Sequence, residues 1–217
     1  MEMNSFLSKI FSAWYTEDPK VWTSPAYYFD RPDKLLALFK KWNITSVFDA
    51  GCSHRHWIQD NRFAENGITY SGGDVSPPAV LYCNQVWPEL SIIHHDLTSD
   101  PFPEVDLIFS NDVLIHLNNQ DKLNFFRNFL NSNVKYLMIS HSGNYPHVIS
   151  NTDVSYDYEI AFPWAPVDWH VDPWNFPEEI DFIVDAGQEI VRKPRRLCLW
   201  AQSQIQLAVD QIDKTIK

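Results

Sequence analysis

Four short stretches of the chain each place a carboxylate or an amide at the end of an apolar run. The first is Val47-Phe48-Asp49-Ala50-Gly51-Cys52-Ser53, followed by Gly73-Asp74, His95-Asp96-Leu97 and Asn111-Asp112-Val113. An ionised carboxylate accepts hydrogen bonds and donates none, so Asp49, Asp74 and Asp96 suit a ligand rich in donors. A β-branched and aromatic run that ends in an acid and then a glycine is also how the first strand–turn–helix of a nucleotide-binding α/β domain begins. One glycine alone is a weak signal. Its weight comes from the later stretches, which follow at the expected distances.

The elements needed to position these residues are legible in the pattern. Phe6, Leu7, Ile10, Phe11 and Trp14 recur at helical spacing, and Pro19 and Pro25 end that pattern. Tyr27-Tyr28-Phe29 leads to Asp30, placed to N-cap a helix with Pro32 in its first turn and Leu35, Leu36, Phe39 and Trp42 on one face. Strands are expected at Ser46–Asp49, Thr69–Asp74, Ser91–His94, Asp106–Ser110 and Lys135–Ser140, and helices near Trp57–Asn66, Pro78–Gln85 and Asp121–Leu130. This alternation predicts an α/β fold: a Rossmann-like, doubly wound, mostly parallel sheet whose ligand lies outside the carboxyl ends of the strands. Residues 142–179 then bring Tyr145, Tyr156, Tyr158, Phe162, Trp164, Trp169, Trp174 and Phe176 together with Pro146, Pro163, Pro166, Pro173 and Pro177. So long and aromatic a stretch predicts an ordered flap over the cleft, before the last strand. A helix at Glu178–Ala186 and a closing strand at Arg196–Gln202 follow, and the polar tail from Ala208 has no evident task. The expected organisation is one domain: N-terminal helices in 1–44, a cofactor-binding core in 45–141, the flap in 142–179 and a closing helix, strand and tail in 180–217.

Composition narrows the partners. With 217 residues, 45% of them hydrophobic, 15% aromatic and a formal net charge of -11, the chain is a folded globule that repels phosphate backbones. The basic cluster Arg192, Lys193, Arg195 and Arg196 is short and reads as a solvated turn, so nucleic acid is disfavoured as substrate. Cys52, Cys83 and Cys198 are scattered and form no CxxC pair, which suits a reducing compartment. No apolar run approaches a membrane span and no leader pattern is evident, so a soluble, cytoplasmic protein is expected.

Over residues 45–202 the chain resembles the class I S-adenosylmethionine-dependent methyltransferases. Phe48-Asp49-Ala50-Gly51-Cys52 is similar to the first motif of that family, whose acid and backbone amides hold the methionine end of the cofactor. Gly73-Asp74 is similar to the second, where an acid takes both ribose hydroxyls, and His95-Asp96-Leu97 to the third, where an acid and the next amide read the adenine edge. Asn111-Asp112-Val113-Leu114-Ile115-His116-Leu117 is similar to the fourth, where the methyl group meets its acceptor. The resemblance implies S-adenosyl-L-methionine as cofactor, S-adenosyl-L-homocysteine as product, and contacts from Asp49, Gly51, Ser53, Arg55, Trp57, Asp74, Asp96, Leu97 and Asn111. Where the family carries later glycines this chain has Ser53, small enough for close approach, and Arg55, which would reach the cofactor carboxylate or solvent. Trp57 and the aromatic, proline-rich segment resemble a branch of bacterial and viral methyltransferases that modify sugars and small molecules.

Methyl transfer from a sulfonium needs an acceptor held in line and, for a hydroxyl, a base. Asp112, His116 and His141 are the candidate catalytic residues, with His116 also suited to satisfying backbone groups and His141 better placed towards substrate. Trp164, Trp169, His170 and Trp174 are candidate substrate contacts, the indoles stacking on sugar rings while Asp168, Asp172 and Glu178 accept hydroxyls, or else burying one another as a core for the flap. Were a metal used, Asp112, His141, Asp168, His170 and Asp172 are the residue types that hold Mg2+ or Mn2+. The expectation is an O-methyltransferase for a glycan or a glycosylated small molecule. A non-catalytic binding module that keeps the fold, and a methyltransferase for a protein or RNA partner, stay open.

Overall fold

A computed structural model describes residues 8, 11–12, 30–54, 61–142, 151–154, 164–184 and 196–215. Arg55, Trp57, most of the N-terminal helix, Pro19 to Phe29, the flap residues Tyr145, Pro146, Tyr156, Tyr158, Phe162 and Pro163, and the basic residues Arg192, Lys193 and Arg195 lie outside them.

The strands are β1 (Ser46–Ala50), β2 (Thr69–Asp74), β3 (Ser91–His94), β4 (Leu107–Ser110), β5 (Tyr136–His141), β6 (Asp181–Val184) and β7 (Arg196–Ala201). They form one sheet in the order β3-β2-β1-β4-β5-β7-β6. The first five are parallel, and β7 runs antiparallel to both β5 and β6. Strand order reverses between β1 and β4, where Asp49 lies opposite Phe109. That reversal opens a crevice above the carboxyl ends of β1 and β4.

The helices are α1 (Arg31–Trp42), α2 (Arg62–Glu65), α3 (Pro77–Val86), α4 (Asn119–Leu130) and α5 (Gln202–Thr215). Successive strand residues point to opposite faces, so each face has its own core. On one side Val47, Leu107, Phe109, Met138 and Leu199 meet Leu35, Leu38 and Phe39 of α1 and Cys83 of α3. On the other, Phe48, Ile108, Leu137, Ile139 and Trp200 meet Phe125, Phe126 and Phe129 of α4 and Ile205, Ala208, Val209 and Ile212 of α5. Local chemistry sets the ends. Asn43 closes α1 in the left-handed region with its N–H on Lys40 O and Phe39 O, and the Asn118 side chain caps α4 by accepting the Asp121 N–H at 2.7 Å.

Two expectations are corrected. Glu178–Ala186 was expected as a helix, but 181–184 form β6, because each residue there pairs across β7 in register from Asp181↔Leu199 to Val184↔Arg196. The tail is the helix α5, whose buried stripe Ile205, Ala208, Val209 and Ile212 completes the α4 face of the core. Asp30 stands at the N-cap of α1 without a side-chain capping bond.

The two sheet edges are built differently. At the amino ends, Asp106 Oδ2 accepts from the Thr45 N–H at 2.9 Å, Thr45 Oγ1 at 2.9 Å and Ser46 Oγ at 3.1 Å, while Lys135 reaches Oδ1 at 3.2 Å. Burial opposes the Asp106 charge, but these donors outweigh it and hold its pKa at about 2. This knot joins β1, β4 and β5 on the side away from the crevice.

Candidate functional site

The turn after β1 is bound tightly to the end of β2. The N–H groups of Gly51 and Cys52 both donate to Gly73 O, at 2.8 and 3.1 Å. Asp74 accepts the Ser53 N–H on Oδ2 at 2.9 Å and the Ser76 N–H on Oδ1 at 2.8 Å. Gly51 has φ +87°, and a Cβ there would come within 2.4 Å of Val113 Cγ2, so both conformation and space demand glycine. Ser53 also takes a left-handed φ of 51°, at the position where glycine is usual in the family it resembles. Burial raises the Asp74 pKa, with partial relief from the two N–H donors and His94. Each of its oxygens keeps a second lone pair for a further donor.

Asp49 is 1% exposed and accepts the Tyr70 hydroxyl at 2.6 Å. Tyr70 is a partner that sequence reasoning missed; its only signal is its place on β2 beside the strand that carries Asp49. Cys52 and Cys83 lie beneath this turn, with the Cys83 thiol donating to Ser53 O at 3.1 Å. A hydrogen bond with Cys83, burial and the nearby Asp74 and Asp49 push the Cys52 thiol far up, so it is an inert packing group.

Asp96 organises the turn after β3. Its Oδ1 accepts the Thr98 N–H at 2.9 Å and Oγ1 at 2.6 Å, and its own N–H donates to Asp100 Oδ2 at 2.8 Å. Among the described residues no hydrogen bond reaches Asp96 Oδ2. The Leu97 side chain is buried in the α4 core, and its carbonyl accepts from Asn128.

Beyond β4, Ser110 Oγ donates to Ala50 O at 2.8 Å and so fastens β4 to β1. Asp112 sits at φ +59° with its N–H on Ser140 Oγ at 3.1 Å. The Asn111 amide nitrogen faces Asp112 Oδ2 at 3.4 Å, which leaves Asn111 Oδ1 buried with no partner among the described residues. Ser76 Oγ, in the loop after β2, is buried and unpartnered in the same way. His116 ends a 3-10 turn, Leu114–His116, with its ring edge-on to Phe11 at 6.4 Å. The structure thus brings Asp49, Gly51, Ser53, Asp74, Asp96, Leu97, Asn111 and Asp112 to one edge of the sheet, the carboxyl ends of β1 to β4.

The flap packs on the end of β5 and on the loop after β4. Ser142 N–H donates to Val167 O at 2.9 Å, Trp169 Nε1 to Ser140 O at 2.8 Å, and Ala165 N–H to Ile115 O at 2.9 Å. Trp169 and Trp174 are 0% and 2% exposed and pack edge-on against Phe126 of α4, with Trp169 stacked on Phe176. Of the two roles expected for them, sugar platform or core of the flap, Trp169 and Trp174 take the second. Trp164, 53% exposed, keeps a free face.

His141 closes β5 opposite Arg196 of β7. Its Nδ1 accepts the Trp169 N–H at 3.4 Å, and its ring lies 5.0 Å from that of His170. Burial lowers the His141 pKa; Asp168 and Glu179 oppose this, while His170 and Arg196 add to it. His170 bridges its N–H to Asp168 Oδ1 at 3.0 Å and its Nε2 to Glu179 Oε2 at 2.9 Å. Glu179 and Arg196, 3.3 Å apart, were not singled out as site residues because only the β5-β7-β6 pairing brings them to His141. Asp172 bonds Asn175 instead. Among the described residues no three His, Cys, Asp or Glu are gathered as for a metal ion, so Asp112, His141, Asp168, His170 and Asp172 do not assemble as a ligand set.

No protein-family model matches the chain, and no curated protein sequence matches it either. Solved structures do. Burkholderia thailandensis 1,6-didemethyltoxoflavin-N1-methyltransferase, with bound 1,6-didemethyltoxoflavin and S-adenosylhomocysteine, superposes with a TM-score of 0.64 at 13% identity, covering 92% of this chain and 88% of its own. Magnesium protoporphyrin IX methyltransferase from Synechocystis PCC 6803, with bound S-adenosylhomocysteine, gives 0.60 at 15% identity, covering 92% and 96%. The methyltransferase domain of a bacterial Hen1 gives 0.55 at 14% identity, covering 79% and 97%. The strand order, its reversal beside Gly51 and these likenesses agree: the chain has the fold of the class I S-adenosylmethionine-dependent methyltransferases.

Proposed function

We propose that the protein is an S-adenosylmethionine-dependent methyltransferase that acts on a hydroxyl of a small molecule, with a sugar as the acceptor class. The observation that carries this reading is the set of acceptors at one sheet edge, including the orphaned Asn111 Oδ1 and the spare lone pairs of Asp74. A buried acceptor without a donor costs about 1–3 kcal/mol unless a ligand supplies one. The ammonium, ribose hydroxyls and adenine amino group of S-adenosylmethionine are such donors, so the residues present fit it.

When bound, the cofactor supplies a methyl group already activated on a sulfonium. The chain's residues then bind and orient. Asn111 Oδ1 and Asp49 favour the ammonium, Asp74 takes ribose hydroxyls, and Asp96 Oδ2 with the Leu97 N–H reads adenine. Arg55 and Trp57 follow this turn in the sequence and lie outside the described residues. Asp112 accepts the proton of the acceptor hydroxyl, with His141 and His116 the other candidates for that role. The exposed indole of Trp164, anchored beside Ile115, offers a face to a sugar ring.

Calorimetric titration with S-adenosylhomocysteine tests the cofactor. Wild type binds, and Asp74→Asn weakens binding by about tenfold or more, the worth of a charge-assisted hydrogen bond. No binding by well-folded wild type would sink the reading. A second reading, a non-catalytic module, is favoured by the N–H groups of Gly51, Cys52 and Ser53 all being engaged within the protein. It predicts that Asp112→Ala and His141→Ala leave partner binding unchanged, whereas the enzyme reading predicts lost methyl transfer with retained cofactor binding.

A further inference from the structure

β2 carries a tyrosine whose hydroxyl the strand itself does not require. Tyr70 lies opposite Val47 of β1, and the residue opposite Asp49 is Gly72. A Cβ at Gly72 would already come within 3.0 Å of Cys52 Cβ. The side chain through which β2 reaches Asp49 is therefore Tyr70, two residues earlier on the same face. Its hydroxyl donates to Asp49 Oδ2 at 2.6 Å, the length of a charge-assisted O–H···O bond. Both residues are buried, and the phenol ring packs on Phe63 at 6.2 Å, which meets Phe39 of α1 at 5.4 Å. A carboxylate taken out of water keeps a defined place only where donors hold it. The phenol is such a donor, fixed on a packed strand.

Asp49 stands two residues before Gly51, and its field reaches the turn: together with Asp74 it helps to push the Cys52 thiol up. The N–H groups of Gly51 and Cys52 are directed to Gly73 O, and that of Ser53 to Asp74 Oδ2. Carboxylates thus set the charge of this turn, and at the amino-acid end of a ligand they favour the ammonium. We propose that Tyr70 is a positioning residue for the cofactor: it holds the Asp49 carboxylate in the orientation that favours the ammonium of the cofactor's amino-acid end. The assignment rests on the methyltransferase reading above. It divides the two acids by ligand part, Asp49 for the amino acid and Asp74 for the ribose.

Calorimetric titration of the full chain tests it, with S-adenosylhomocysteine and with 5′-methylthioadenosine, which keeps the adenine, ribose and thioether but has no amino acid. The forms compared are wild type, Tyr70→Phe, Asp49→Asn and the double variant. Tyr70→Phe keeps the packed ring and removes one oxygen. It is expected to weaken S-adenosylhomocysteine binding about tenfold, the scale of a hydrogen bond to a charged group, and to leave 5′-methylthioadenosine within about twofold of wild type. Because Tyr70 acts through Asp49, the double variant should bind S-adenosylhomocysteine no more weakly than Asp49→Asn. Equal weakening of both ligands would make Tyr70 a packing residue only and overturn the proposal. Losses that multiply in the double variant would overturn it too. If Asp49→Asn does not fold, the two-ligand comparison decides; if wild type takes no 5′-methylthioadenosine, the double variant does. S-adenosylhomocysteine binding that Tyr70→Phe leaves unchanged refutes the assignment alone. Well-folded wild type that binds neither ligand refutes the cofactor reading and this assignment with it.

Discussion

Gly51 shows how much chemistry a single position constrains. Any side chain there meets Val113 within 2.4 Å and must hold φ near +87°. Gly51→Ala is therefore expected to destabilise the protein by roughly 2 kcal/mol or more, read by urea denaturation, and to abolish S-adenosylhomocysteine binding in what remains folded. Lys122 is the opposite case, a charge where none is needed. It is fully buried, reaches Asn119 Oδ1 at 3.3 Å, and burial lowers its pKa to about 8 against some support from Asp153. The unfolded chain holds that proton up to the ordinary lysine range, so stability rises with pH from about 8 to about 10.5. Lys122→Met keeps the volume, removes that rise, and stabilises the protein at pH 7 by about 1 kcal/mol. A loss of stability in the variant would mean that the Lys122 charge is used.

At the scale of elements, the sheet is pinned at one edge and open at the other. Asp106 does the pinning. Its folded pKa lies below the unfolded one, so its contribution is complete above the ordinary aspartate pKa of 3.8 and is lost as pH falls towards about 2. Its carboxyl is only 17% exposed, so the gap corresponds to about 2 kcal/mol. Asp106→Asn is expected to lose most of this at pH 7 and to flatten the acid limb of the stability curve. The flap is held by apolar packing instead. Trp169→Ala, which empties a fully buried indole site against Phe126 and Phe176, should cost about 3–5 kcal/mol. Trp164→Ala should leave thermal stability within about 0.5 kcal/mol, because that ring is mostly in solvent. If the sugar reading holds, that same variant loses acceptor affinity.

For the whole molecule, charge and topology act together. A net charge of -11 is unsuited to a polyanion, so retention on RNA at low salt is not expected, and salt-sensitive retention would revive an RNA acceptor. It suits a cofactor with a sulfonium and an ammonium. Because S-adenosylhomocysteine bridges loops from β1, β2, β3 and β4 in the proposed site, it should raise the melting temperature. The gain at a hundredfold excess over Kd is about 2.7 kcal/mol.

The sequence by itself determined the parallel half of the sheet and its acids. Val47-Phe48, Leu107-Ile108-Phe109 and the run at Tyr136 are β-rich and bounded by turn residues, so each strand announces itself locally, and an acid or amide at its end is visible in one dimension. Local signals were misleading or silent wherever long-range pairing decides. Residues 181–184 became a strand only because β7 offers them a partner, and the tail became a helix because the α4 face needed covering. By sequence Trp169 and Trp174 suit platform and core equally, and Phe126 packed against both makes them core. Tyr70 beside Asp49, and Glu179 and Arg196 around His170, are partners whose meeting is a property of strand register. A hydrogen bond needs two groups within about 3 Å. The order of residues along the chain names the groups, and only the tertiary structure decides which of them meet.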